Sequence, residues 1–328
     1  AAGNASSLTL TTFVIDTTVP TGALTYSADG PYKENATATV TATFTEALTT
    51  TPKIAISGVS SVAATNMTST GSANVWTYAY TAPAGNGTDT FAFSVGTDAS
   101  GNTVTAAPTS GATVTVDNTA PVLAAVTQVV TPSNDTTPSY VFTTGEAGTI
   151  TTNITEGFST SSSAATGSNQ TITFNTLGAG TYADKTITVT DAAGNASSLT
   201  LTTFVIDTTA PTITSITSDL ADGTYAVGQV IDLDITFSEV VTLAGSNGLE
   251  ITLTMDGDDR IVDLQPFSSS ATATVNYTVQ AGDTTSDLTN GTIALGSNDT
   301  LVDAGGTAMS SFTLTGNSLG ANKALVLD

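Results

Sequence analysis

Short runs in which apolar residues alternate with threonine, serine or other small polar residues recur along the whole chain. Alternation with a period of two predicts strands that turn one face to a core and the other to water. The runs ATATVTATFTE (36–46), NVWTYAY (74–80), DTFAFSVG (89–96) and ATVTVD (112–117) form a first group. PSYVFTT, GTITTNI, QTITFNT, KTITVTD and SSLTLTTFVID follow between 138 and 207. VIDLDITFSE, LEITLTMD, ATATVNYTV, SFTLT and the terminal ALVLD make a third group between 230 and 328. Clusters of Gly, Asn, Asp and Pro separate the runs, as turns require. No stretch sustains a helical period. The pattern predicts an all-β chain of two-sheet antiparallel sandwiches.

Self-similarity organises these runs into units. Residues 1–18, AAGNASSLTLTTFVIDTT, recur unchanged at 192–209. Strands ending in Asp, followed by Thr and Pro, recur as VIDTTVP, VDNTAP and VIDTTAP, and the last unit stops at ALVLD. The junction aspartates Asp16, Asp117, Asp207 and Asp328 lie 101, 90 and 121 residues apart. That spacing suits a seven-strand sandwich of roughly 100 residues. The expected organisation is 1–16 as the last strand of an upstream domain, then domains over 17–117, 118–207 and 208–328. The orphan strand has a second reading, completion of a neighbouring molecule's sheet by strand addition.

Composition narrows the chemistry. Threonine supplies 72 of 328 residues, a β-branched excess that favours strands. Cysteine and histidine are absent, which excludes disulfide frameworks, thiolate nucleophiles and imidazole-based triads. The charge is −23, from 28 acids against 5 bases, so nucleic acid and anionic membranes are unsuitable partners. No apolar run reaches membrane-spanning length, so insertion of this segment into a membrane is not expected. Self-repulsion at this level calls for a neutralising partner, and a divalent cation is the natural one.

The acids supply a pattern for that cation. Each unit has its junction Asp, a Glu 29 to 32 residues later, and an Asp opening the loop before the last strand. The sets are Asp16, Glu46 and Asp98; Asp117, Glu146 and Asp191; and Asp207, Glu239 and Asp303. In an immunoglobulin-like topology all three fall at the N-terminal pole, against the preceding domain. Converging carboxylates without a basic neighbour repel one another and hold protons more tightly. Ca²⁺, with about six to eight oxygen ligands, resolves that repulsion, whereas Mg²⁺ demands stricter geometry. Asn102 and Asn195 offer further oxygens from the same loops, and Asp29, Asn134 or Asp135 from the preceding domains. The alternative is that these loop residues only make side-chain-to-backbone turns. The third loop, DAGGT, lacks the Asn, which makes its site the least secure.

The D-A-A/S-G-N loops and the D-T/N-T-A/V-P junctions resemble the bacterial Ig-like repeats of giant secreted adhesins. TPSNDTTPSYVF resembles one repeat subtype, and FSEVVTL, YTVQAGD and SLGANKALVLD resemble another. The resemblance implies tandem immunoglobulin-like β-sandwich domains in an elongated array, exported by type I secretion to the bacterial cell surface. Together with the acidic pattern it points to a non-enzymatic stalk whose partners are neighbouring repeats, with Ca²⁺ stiffening the domain junctions. The competing function is a subunit of an extracellular filament or surface layer, assembled between chains. Other features carry blander readings. Asp256, Asp258, Asp259 and Asp263 fit a solvated hairpin turn better than a paired-carboxylate site. Trp76 fits burial against the opposite sheet better than a sugar platform.

Overall fold

Alternation resolves into packed sheets because each strand must bury its apolar face. The computed structural model describes residues 2, 3, 5–314 and 316–328. Thr37–Phe44 shows the principle: Ala38, Val40, Ala42 and Phe44 are buried, while most of the threonines between them face outward. It lies between Gly22–Tyr26 and Val75–Thr81 in one four-stranded sheet, with Thr68–Ser69 at the edge. Ser61–Asn66, Lys53–Ser57, Gly87–Val95 and Thr113–Val116 form the facing sheet. Between them Phe44 tilts against Phe93, and Tyr80 meets Phe91 edge-on. Fully burying side chains of this size contributes about 1.5–3 kcal/mol each, before conformational entropy is counted. Trp76 is only half-buried against this core, and its indole N–H donates to the Ala73 carbonyl.

A second core gathers Tyr140, Phe142, Ile172, Phe174, Ile187, Val189, Phe204 and Ile206. Leu123–Thr127, Ser139–Thr144 and Asn169–Thr173 form one sheet. Ser163–Ala164, Gly148–Thr152, Thr186–Thr190 and Ala196–Thr200 form the other. The expected single strand SSLTLTTFVID is divided. Ala196–Thr200 pairs with Thr186–Thr190, and Phe204–Ile206 pairs with Gly180–Tyr182. The chain changes sheets there because Leu201, Phe204 and Ile206 are all buried, a set that one alternating strand could not place in one core.

The third core is built around the 15-residue strand Val230–Ala244. One edge pairs with Phe267–Thr278 in both halves, while the other pairs first with Ile213–Thr217 and then, over its last four residues, with Thr300–Asp303. Arg260–Leu264, Leu249–Thr254 and Thr289–Leu295 form the facing sheet, and Leu325–Leu327 pairs in parallel with Gly223–Tyr225. The expected strand SFTLT does not form over 311–314, and Thr315 lies outside the described residues. Phe312 and Leu314 pack partly against the core without entering a ladder.

The fold is all-β: immunoglobulin-like β-sandwiches in tandem. Residues 5–15 join no sheet, and Leu8, Leu10, Phe13, Val14 and Ile15 are exposed; Ala1 and Asn4, within the expected 1–16 strand, lie outside the described residues. Among the described residues no helix is long and apolar enough to cross a membrane.

Candidate metal centres at the domain joints

Three chain segments meet at each joint. Asp117 and Asp207 stand where one core ends and the next begins, Asp16 stands just ahead of the first core, and each turns its carboxylate onto the residue two ahead. Thr18, Thr119 and Thr209 donate their backbone N–H groups to Oδ1 of these aspartates at 2.9, 3.0 and 3.0 Å. Glu46 and Glu146 lie just beyond Thr37–Phe44 and Ser139–Thr144. Glu239 reaches the same place from inside its long strand, where pairing with Phe267–Thr278 is irregular between Thr236 and Val241.

The third segment is a tight loop repeated in all three units. Asp98, Asp191 and Asp303 donate their backbone N–H groups to the carbonyls of Asn102, Asn195 and Thr307 at 3.1, 3.0 and 3.0 Å. Gly101, Gly194 and Gly306 turn the chain at φ of 88°, 90° and 90°, which an L side chain rarely adopts. Oδ1 of each loop aspartate accepts the N–H four residues on, at 2.9, 2.8 and 2.8 Å. That fourth residue also ties the loop to the junction. Asn102 Nδ2, Asn195 Nδ2 and Thr307 Oγ1 donate to the carbonyls of Asp16, Asp117 and Asp207 at 3.2, 2.9 and 3.0 Å.

The turn chemistry expected of a purely structural loop is therefore present, and its backbone bonds engage Oδ1 of each aspartate. The carboxylates of each set nonetheless converge. Asp16, Glu46 and Asp98 offer ligand atoms within 4.8 Å of one another, and so do Asp117, Glu146 and Asp191, and Asp207, Glu239 and Asp303. All nine carboxylates expected from the sequence are brought together, three to a joint. Asn102 and Asn195 lie in the same loops, but their amide nitrogens face Asp98 Oδ2 and Asp191 Oδ2, both at 2.9 Å.

Electrostatics follow from this crowding. Burial first, and the Asp16 and Asp98 charges next, push the Glu46 carboxyl above its usual 4.5. Glu146 is raised from 4.5 by burial and by Asp117 and Asp191, and Glu239 by burial and by Asp303 and Asp207. Asp98 moves the other way, chiefly because the Asn102 amide holds its charged form. The one ion pair among the described residues joins Arg260 to Asp283 at 2.8 Å and involves none of the nine. Two oxygens at the joints, Glu146 Oε2 and Asp303 Oδ2, are buried without a hydrogen-bond partner. Such atoms are costly to leave bare and mark places where a cation would be accommodated.

Contributions from the preceding domain are uneven. Asn134 crosses to the third loop, donating its N–H to the Gly305 carbonyl at 2.9 Å and its Nδ2 to the Gly306 carbonyl at 2.9 Å. Asp135 instead closes a local turn on Thr137, and Asp29 lies beside Tyr32. Thr307 escaped the sequence reading. The signal was its offset of four residues from Asp303, the same as Asn102 from Asp98 and Asn195 from Asp191. Asp219, Asp232 and Asp234 form a further acidic trio. There burial opposes the Asp232 charge, but the Asp219 N–H, the Ser218 hydroxyl and Lys323 outweigh it and lower its pKa.

No protein-family profile and no curated protein sequence matches the chain. Among solved structures, an I-band fragment from titin is similar at 13% identity, covering 95% of this chain and 100% of that one, with a TM-score of 0.39. The FN domains of chicken CNTN1 align at 8% identity over 89% of this chain and 96% of that chain, with a TM-score of 0.21. The S-layer protein rSbsC aligns at 11% identity, over 87% of this chain and 54% of its own, with a TM-score of 0.20. Overlaps this loose say nothing about what the chain binds.

Proposed function

We propose that this chain is a structural extension segment of a bacterial cell-surface adhesin, non-enzymatic, with Ca²⁺ stiffening the joints between its sandwiches. The observation that carries the reading is the recurrence of the Asp–Glu–Asp trio, on the same loop geometry, at three successive joints. A single trio is ordinary surface chemistry. Three in register put a charge cluster at the head of each sandwich, and where another sandwich precedes it a cation would couple the two bodies. Extracellular calcium modules typically bind at ~10⁻⁴–10⁻³ M, so the joints would fill outside the cell.

The test is small-angle scattering on the full chain with calcium and then with a chelator, repeated on Asp117→Ala and Asp207→Ala. Calcium should increase the maximum dimension and narrow its distribution, and each substitution should remove part of that response. If dimension and thermal stability ignore both chelator and substitution, the joints are not calcium sites.

One observation favours the filament or surface-layer reading. Leu8, Leu10, Phe13 and Ile15 are exposed, whereas their sequence twins Leu199, Leu201, Phe204 and Ile206 are seated against a core. An apolar segment of that pattern suits strand addition to another copy. Concentration-dependent oligomers in sedimentation, lost on Phe13→Asp, would support assembly. A monomer at every concentration would leave the stalk.

A further inference from the structure

The three joint loops share a backbone and differ in one side chain. In the first two, the loop aspartate is held twice by the residue four ahead. Asn102 covers Asp98 Oδ1 with its N–H and Oδ2 with its amide, and Asn195 does the same for Asp191. In the third, Thr307 donates its N–H to Asp303 Oδ1 but turns its hydroxyl to the Asp207 carbonyl. Asp303 Oδ2 is left with no donor although the residue is only 5% exposed. Glu146 Oε2 is also bare, but that side chain is only partly buried.

We infer that the Asp207–Glu239–Asp303 joint takes a divalent cation first and most tightly, and that the residue four beyond the loop aspartate sets this order. The inference rests on the reading of the joints as cation sites. A cation approaching Asp98 or Asp191 must share Oδ2 with an amide hydrogen, whose positive end opposes it. At Asp303 the same oxygen is buried and unsatisfied, so the empty site is the less stable one and binding recovers more. The third loop is also held from outside. Asn134 donates to two of its carbonyls at 2.9 Å, whereas at the preceding joint Lys33 Nζ reaches the Gly194 carbonyl at 3.5 Å. A loop already fixed loses less freedom on binding. The Thr that makes the third loop look deficient in sequence is what leaves its carboxylate free for the ion.

The experiment is a calcium titration of the full, isotope-labelled chain, following the backbone amides of Gly101, Gly194 and Gly306 by NMR. Gly306 should reach its midpoint at about tenfold lower calcium than the other two. Thr307→Asn should raise the Gly306 midpoint by about that factor, and Asn195→Thr should lower that of Gly194. Both variants keep the N–H that closes the loop, so an unchanged spectrum elsewhere confirms that the fold is retained. Gly306 responding with or after the others, or midpoints unmoved by both exchanges, overturns the inference while leaving the joints as calcium sites. No response at any of the three glycines up to millimolar calcium overturns the calcium reading itself.

Discussion

At the scale of single residues, three glutamates and four aspartates carry opposite pH signatures. Glu46, Glu146 and Glu239 have carboxyls raised above 4.5, so the folded metal-free chain holds protons that the unfolded chain would release. Their contribution to stability is complete at low pH and is lost as pH rises through the interval above 4.5. Asp98, Asp232, Asp283 and Asp299 lie below 3.8; theirs is present above that value and lost as pH falls through their lowered pKa values. Calcium binds only ionised carboxylates, so at the joints it would reverse the first effect, reinforce the second at Asp98, and leave Asp232, Asp283 and Asp299 as they are. Thermal melts across a pH series should show a calcium-dependent gain that is large at neutral pH and fades toward 4.5. An equal gain at both ends would contradict the role of the glutamates.

Asp89 makes a different residue-scale case. Fully buried, it accepts from the Ser60 N–H at 2.6 Å and the Tyr80 hydroxyl at 2.8 Å, as well as from the Ser60 hydroxyl. Asp89→Ala strands those donors and should cost roughly 3 kcal/mol. Urea denaturation reads this as a lower midpoint at unchanged slope.

Secondary-structure elements were legible where one face is apolar and the other rich in threonine, as in Thr37–Phe44, Thr186–Thr190 and Thr113–Val116. They were less legible where a strand changes the partner on one edge, or its sheet, midway. Val230–Ala244 reads as a strand ending near Glu239, yet it runs on because its last residues pair with Thr300–Asp303. The segment 196–206 reads as one strand and serves two sheets, since the distribution of its buried positions depends on cores that are distant in sequence. Its identical copy gives a within-chain control. Phe204 is fully buried and stacks on Tyr182 with centroids 5.0 Å apart, while Phe13 is 78% exposed. Phe204→Ala should cost about 3–5 kcal/mol of stability, and Phe13→Ala less than about 0.5. Equal losses would mean that residues 5–15 are seated in a core after all.

For the whole molecule, charge and joints set the behaviour. A net charge of −23 spread over the chain opposes compaction, and nine of its 28 acids are gathered at three joints. At free calcium about 100-fold above Kd, each filled joint would add ~2.7 kcal/mol to the state that binds it. Melting temperature should therefore climb with calcium and fall on chelation, and sodium chloride at matched ionic strength should reproduce only a small part of the gain. Salt alone giving the full gain would assign the effect to general screening.

By itself the sequence determined the all-β class, the period of the repeats and the nine carboxylates. Those follow from alternation and recurrence, which are properties of residue order. It did not determine which oxygens stay free. Asn102 and Thr307 occupy one place in the loop, and only three-dimensional geometry aims an amide at one aspartate and a hydroxyl away from another. Nor did it separate residues 5–15 from 196–206, whose sequences are the same. A buried face exists only where other strands complete it, and that is decided by the tertiary structure.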